Sequence, residues 1–145
     1  MSTETGVTDE RRELGVSETL RLRDVGPALT VSDLDASLAW YRDVVGFVVK
    51  ETWEPEGEIV GYSLVAGVGN LMLMKDDGAK GWDRKKGQGL RLFLSTAQDV
   101  DRIAENIKAR GGELATEPAD MPWGGRAFNL VDPDGFNLTI VGESS

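Results

Sequence analysis

Leu29-Thr30-Val31 followed by Asp33-Leu34-Asp35, and Leu90-Arg91-Leu92-Phe93-Leu94-Ser95 followed by Asp99-Val100-Asp101, are two passes of one plan. In each, alternating apolar residues read as a strand, and an Asp then stands where its side-chain oxygen can cap a helix. A second acid sits in the first turn, where the helix dipole favours a carboxylate. Leu34, Leu38, Tyr41 and Val45 recur at helical spacing, as do Val100, Ile103 and Ile107. Gly46-Phe47 stops the first helix and Gly111-Gly112 the second.

Residues 25–31 and 90–95 read as the opening strands. After the first helix, 47–53, 59–66 and 71–75 read as strands, separated by a turn at 55–57 and a hairpin turn at 67–70. After the second helix, 113–116 reads as a short strand, 118–125 as a loop, and 126–131 and 136–141 as strands. Asp132-Pro133-Asp134-Gly135 makes a tight turn, with Pro second and Gly fourth. The order is β-α-β-β-β twice, an internal repeat of about fifty residues. It predicts an α+β fold of paired βαβββ modules spanning 24–75 and 89–142. A charged linker, 76–88, joins them, with Trp82 as its one large apolar anchor. Residues 1–23 show little periodicity and are expected to form a flexible tail, with a short helix over 8–15.

The 145 residues suit one domain with its own core. Cysteine is absent, so neither disulfides nor thiol chemistry is available. Histidine is absent too, which removes the commonest metal ligand and the commonest general base. A formal charge of −9 argues against nucleic acid, which needs basic stripes; it suits solubility or a cationic ligand. No apolar run reaches membrane-spanning length and no signal peptide is visible, so the expected location is the cytoplasm, off the membrane. No P-loop, nucleophile elbow or dinucleotide fingerprint occurs.

Two stretches carry a family resemblance. The opening Leu29-Thr30-Val31-Ser32-Asp33-Leu34, with Trp40-Tyr41-Arg42-Asp43-Val44-Val45-Gly46-Phe47, resembles the start of vicinal oxygen chelate proteins. Pro122-Trp123-Gly124-Gly125-Arg126, then Asp132-Pro133-Asp134-Gly135-Phe136-Asn137-Leu138, resembles their closing signature. The resemblance spans about residues 24–141 and implies the glyoxalase/bleomycin-resistance/dihydroxybiphenyl dioxygenase-like fold. In that fold a mixed sheet is cupped, with its helices outside. It also implies a divalent metal held from four strand positions, two per module. Carried over residue by residue, those positions are Gly26, Met72, Arg91 and Thr139. Glycine offers no donor, methionine a soft thioether, arginine a fixed cation and threonine a weak neutral oxygen. The expectation is therefore no metal and no cofactor.

Strand alternation places Leu29 and Val31, Leu71 and Leu73, Leu90, Leu92 and Leu94, and Leu138 and Ile140 under the helices. Ala28, Thr30, Asn70, Met72, Met74, Arg91, Phe93, Ser95, Asn137 and Thr139 then line the cup. The candidate ligand-binding residues are Trp53, Met72, Met74, Arg91, Phe93, Trp123, Arg126, Phe128, Asn137 and Thr139. Each has a plainer reading. The methionines can be core filling, Arg91 a structural ion pair, Arg126 a solvated edge residue, the phenylalanines core and the tryptophans loop anchors. Lys80, Arg84, Lys85 and Lys86 read as a solvated basic patch, and Asp132 and Asp134 as turn formers. No residue is assigned a catalytic role, and Glu58 is not placed.

Two functions fit. One is a homodimeric module that binds a small organic ligand, aromatic or antibiotic-like, without a metal, as bleomycin-resistance proteins sequester a drug. The other is a metal-independent enzyme of glyoxalase-like lyase, isomerase or dioxygenase type. A weaker third is a subunit that forms a site only with a partner protein. The linker allows the modules to pair within a chain or to swap between chains.

Overall fold

A computed structural model describes residues 19–143. The expected helix over 8–15 lies outside the described residues, and 19–23 carry no helix or strand. The element order is β1 (Ala28–Val31), α1 (Leu34–Ala39), β2 (Val48–Trp53), β3 (Gly61–Ala66), β4 (Gly69–Lys75), β5 (Arg91–Ser95), α2 (Val100–Ala109), β6 (Thr116–Asp120), β7 (Arg126–Val131) and β8 (Asn137–Gly142).

The caps behave as the sequence predicts. Asp33 accepts from Ala36 N at 3.0 Å, and Asp99 accepts from Asp101 N at 3.0 Å. Beyond α1 the chain widens over Trp40–Val45 to wider-ring hydrogen bonds, and Gly46 N donates to Tyr41 O at 3.0 Å. Gly46 ends the helix at φ 116°, a conformation that favours glycine.

The strands form two four-stranded mixed sheets, β1-β4-β3-β2 and β5-β8-β7-β6, and no strand of one pairs with a strand of the other. In each, the opening strand runs parallel to the last strand of its module. The repeat read in the sequence is thus a repeat of topology.

One strand differs from expectation. The second module's short strand is Thr116–Asp120, where 118–125 reads as a loop, and Pro118 lies within it. β6 is the edge of its sheet, so Pro118 needs no donor on its outer side, and the register shifts between Thr116 and Ala119.

The core is one continuous cluster on the helix side of both sheets. Leu29, Val31, Leu34, Leu38, Leu64, Leu71 and Leu73 from the first half meet Val100, Ile107, Phe128, Leu130, Leu138 and Ile140 from the second. The halves also touch through Gly112, where an added Cβ would lie 2.5 Å from Val44 Cγ1. Arg110 Nη1 donates to Val44 O at 3.2 Å.

The linker is pinned at one point: Lys80, Arg84 and Lys85 are exposed as expected, and Lys86 is not. Lys86, expected in an exposed basic patch, is buried and donates to buried Asp76 at 2.8 Å. Hydrogen bonding from Lys86 and then from Gly78 N holds the Asp76 carboxyl below the usual carboxylate range. Trp82, expected as an apolar anchor, is 68% exposed, and its ring lies over Gly78.

Candidate functional site

Each sheet has a helix side, which is core, and an open face. Register decides which candidates share that open face. In the first sheet Thr30, Met74, Gly61 and Trp53 form one cross-strand row, and Ala28, Met72, Ser63 and Glu51 the next. Trp53, Met72 and Met74 therefore belong together. A Cβ at Gly61 would meet Trp53 Cε3 at 2.7 Å, Leu73 O at 2.8 Å and the Met74 sulfur at 3.0 Å. Glycine at 61 is what lets the indole lie across β3 towards the Met74 thioether, a favourable sulfur–aromatic neighbour. Gly61→Ala is expected to cost about 1–3 kcal/mol, because the Leu73 carbonyl cannot move aside. It should also shift the Trp53 indole N–H signal in an NMR spectrum; an unchanged signal and an unchanged unfolding midpoint would refute this packing.

In the second sheet Arg91 pairs with Asn137, and Asn137 with Val131. The next row is Phe93, Thr139, Asn129 and Thr116. Arg91, Phe93, Asn137 and Thr139 are thus brought together as the alternation predicts. Arg91 Nη1 donates to Thr139 Oγ1 at 3.0 Å and reaches Asn129 Oδ1 at 3.5 Å. Thr139 Oγ1 donates in turn to Asn129 Oδ1 at 2.6 Å. Phe93 is 61% exposed and Val131 is also exposed.

Three candidates fall elsewhere. Phe128 pairs with Ile140, is 1% exposed and belongs to the core, so it does not line the open face. Arg126 lies two residues away on the same helix-facing side of β7. It is neither a solvated edge residue nor a cup residue: Nε donates to Asp101 Oδ2 at 2.7 Å and Nη2 to Asp101 Oδ1 at 3.0 Å. These bonds, with a third to Asp120, raise the guanidinium above its ordinary value. Trp123 is exposed in the β6–β7 turn, at the end of the sheet away from Arg91. Glu58, left unplaced by the sequence, pairs with Lys75 at 2.8 Å, next to a groove of about 630 Å³ at the start of α1.

Asn129 and Val131 were missed. The signal was available: with Phe128 and Leu130 facing the helices, alternation puts Ala127, Asn129 and Val131 on the other side.

The four positions at which the family resemblance places a metal can now be tested. Gly26 has Asn70 and Asp24 as its nearest side-chain neighbours, and the Asn70 amide donates to Asp24. Met72 brings a thioether beside Ala28. At the other two positions a guanidinium donates to the hydroxyl that would have to coordinate. A divalent cation needs anionic or imidazole donors, and a fixed positive charge at Arg91 opposes it. Among the described residues no group of three or more acidic, histidine or cysteine side chains is placed to hold a metal ion. These residues do not fit the metal.

Comparisons with known proteins bear on the same residues. The model of the Glyoxalase/Bleomycin resistance protein/Dioxygenase superfamily matches residues 25–140. The chain is 28% identical over 117 residues to lactoylglutathione lyase GLX1 of Arabidopsis thaliana, covering 77% of this chain but 41% of that protein. It is 28% identical over 120 residues to the lactoylglutathione lyase of Salmonella typhimurium, covering 78% of this chain and 87% of that one. Against the Arabidopsis relative, then, the chain spans less than half the length. Among solved structures, TioX from Micromonospora sp. ML1 superposes with a TM-score of 0.68 at 21% identity, over 83% of this chain and 98% of that chain. A glyoxalase/bleomycin resistance protein/dioxygenase from Nocardioides gives 0.66 at 20% identity, over 92% of each. Likeness at that identity speaks for the fold. With the paired βαβββ topology and a family model that runs through both modules, the chain belongs to the Glyoxalase/Bleomycin resistance protein/Dioxygenase superfamily.

Proposed function

We propose that this chain binds a small organic ligand without a metal, in the cytoplasm and as a homodimer, in the manner of a bleomycin-resistance protein. The observation that supports the reading most is the side-chain set at the four metal positions. It has lost the metal's donors but kept apolar and hydrogen-bonding groups of the kind that line organic-ligand pockets. Trp53, Met72 and Met74 supply apolar area on one open face, and Arg91, Phe93, Asn137 and Thr139 a mixed surface on the other. A ligand pocket buries most of its guest, and an open sheet face does not. The modules of one chain share their helix side, which supports a second copy as what closes the open faces. No helix of the described residues is long and apolar enough to cross a membrane.

Elemental analysis of the purified protein is expected to find no stoichiometric divalent metal. A thermal-shift screen of planar aromatic metabolites and antibiotics should yield a stabilising compound. A guest at about 100 times its dissociation constant adds about 2.7 kcal/mol. A tightly bound stoichiometric metal would overturn the reading.

The names of the relatives favour a second reading, a metal-independent lyase or isomerase. Glu51, in the Met72 row, is a carboxylate on the first open face. Turnover of the best hit, followed by mass spectrometry, separates the two.

A further inference from the structure

We infer that the second open face is a carboxylate site: Arg91 receives the acid group of an aromatic organic acid. This rests on the ligand-binding reading above and specifies its chemistry.

The guanidinium is a planar fork, and its Nε–Nη2 edge presents two parallel N–H groups that match the two oxygens of a carboxylate. Two other arginines of this chain show that edge filled. Arg126 holds Asp101 with it at 2.7 and 3.0 Å, and Arg42 holds Asp43 at 2.8 and 3.2 Å. Arg91 differs. Its only hydrogen bonds among the described residues run from Nη1, and both acceptors, Thr139 and Asn129, are neutral. Nε and Nη2 have no protein acceptor among those residues. No acid of the described residues shares this face: on β5, β7 and β8 Arg91 is its one charge, and the two acids of β6 are held by cations of the helix side, Glu117 by Lys108 and Asp120 by Arg126.

The bonds from Nη1 fix the plane of the fork before a ligand arrives, so less freedom is lost on binding. Val131, in the row of Arg91, and Phe93, in the next, are exposed on the same face, and they give the ligand's body an apolar, partly aromatic surface. A neutral carbonyl would use one of the two free donors poorly; a carboxylate uses both and matches the charge. Arg91 thus puts positive charge on this face at a position where the family places a metal, and directs it at an oxyanion of the ligand itself.

The probes are 2-naphthoate and its neutral counterpart 2-naphthamide, titrated into isotope-labelled full-length protein at fixed ionic strength and followed by NMR. Naphthoate is expected to bind at least tenfold more tightly than naphthamide, with shifts centred on Arg91, Phe93 and Thr139. Arg91→Gln should remove that preference by weakening naphthoate at least tenfold and naphthamide far less, and Arg91→Lys should restore part of it. Arg91 is exposed, so both variants should fold, which the same spectra check. Equal affinity of the two probes for this face would overturn the carboxylate site while the ligand-binding reading stands. Absence of binding by both, or naphthoate shifts confined to Lys80 and Lys85, would also overturn it. So would a change in sedimentation mass with Arg91→Gln, because the open edge would then belong to an acid of the second copy. The ligand-binding reading fails separately, if the thermal-shift screen yields no compound.

Discussion

Asp132→Ala is expected to lower the unfolding free energy by about 3–5 kcal/mol. Asp132 is 4% exposed and closes the turn that precedes β8. Its Oδ1 accepts from Asp134 N and Phe136 N, both at 2.8 Å, and its Oδ2 accepts from Tyr41 Oη at 2.7 Å. Tyr41 is fully buried and set edge-on to Trp40 and Phe47. Burial first, then the charge of Asp132, keeps its hydroxyl protonated far above the ordinary range. One carboxylate therefore ties the helical segment of the first module to the final turn of the second. Alanine strands three donors, at least one of them deep in the core, whereas Asp132→Asn keeps an acceptor for the two amides and strands only the tyrosine proton. Chemical denaturation should place Asp132→Asn about 1–3 kcal/mol below wild type, a smaller loss than that of the alanine variant. A loss below about 1 kcal/mol for the alanine variant would refute the tie.

The same residue carries a pH signature. Burial pushes the Asp132 carboxyl above the usual range, against hydrogen bonds from Tyr41, Phe136 and Asp134 that pull it down. The folded state thus holds this proton more tightly than the unfolded chain. The stability it contributes is fully present below the unfolded carboxylate's value and is lost as pH rises through the folded one. Wild type should accordingly gain on Asp132→Asn as pH is lowered through that window.

How much of this was legible differs by kind of signal. Caps, stops and strand alternation are local, so Asp33, Asp99, Gly46 and the leucine faces announced both modules, and the resemblance supplied the pairing. Strand β6 was hidden because Pro118 reads as a breaker unless the strand is known to be an edge, and edges are set by partners far along the chain. The Asp76–Lys86 and Tyr41–Asp132 contacts were not legible for the same reason: nothing local announces which acid meets which donor. Arg126 and Phe128 were legible and misplaced. Their own alternation with Leu130 sends them to the helices, and the same rule would have produced Asn129. At the site, the chemistry of Gly26, Met72, Arg91 and Thr139 could be read from residue type alone. The open Nε–Nη2 edge of Arg91 could not, since it depends on Thr139 and Asn129 occupying Nη1.

Phe128→Ala and Phe93→Ala are expected to part company, and the contrast tests which side of its sheet each ring occupies. The two residues are of one type in adjacent layers of one sheet. Phe93 pairs with Thr139 on β8, and Phe128 pairs with its neighbour Ile140. Successive residues of a strand face opposite sides, so the two rings cannot share an environment. Phe128 is 1% exposed and packed in the cluster with Leu130 and Ile140; its truncation leaves a cavity beneath α2 and should cost about 3–5 kcal/mol. Phe93 is 61% exposed, and its truncation should change stability by less than about 0.5 kcal/mol. Binding should reverse the order. Phe93→Ala is expected to weaken naphthoate several-fold at unchanged stability, because it removes the surface beside Arg91. Phe128→Ala, at a temperature where it stays folded, should leave that affinity within twofold, because its ring never reaches the open face. If Phe93→Ala unfolded the chain, or Phe128→Ala abolished binding in a folded protein, the register that defines the site would be wrong.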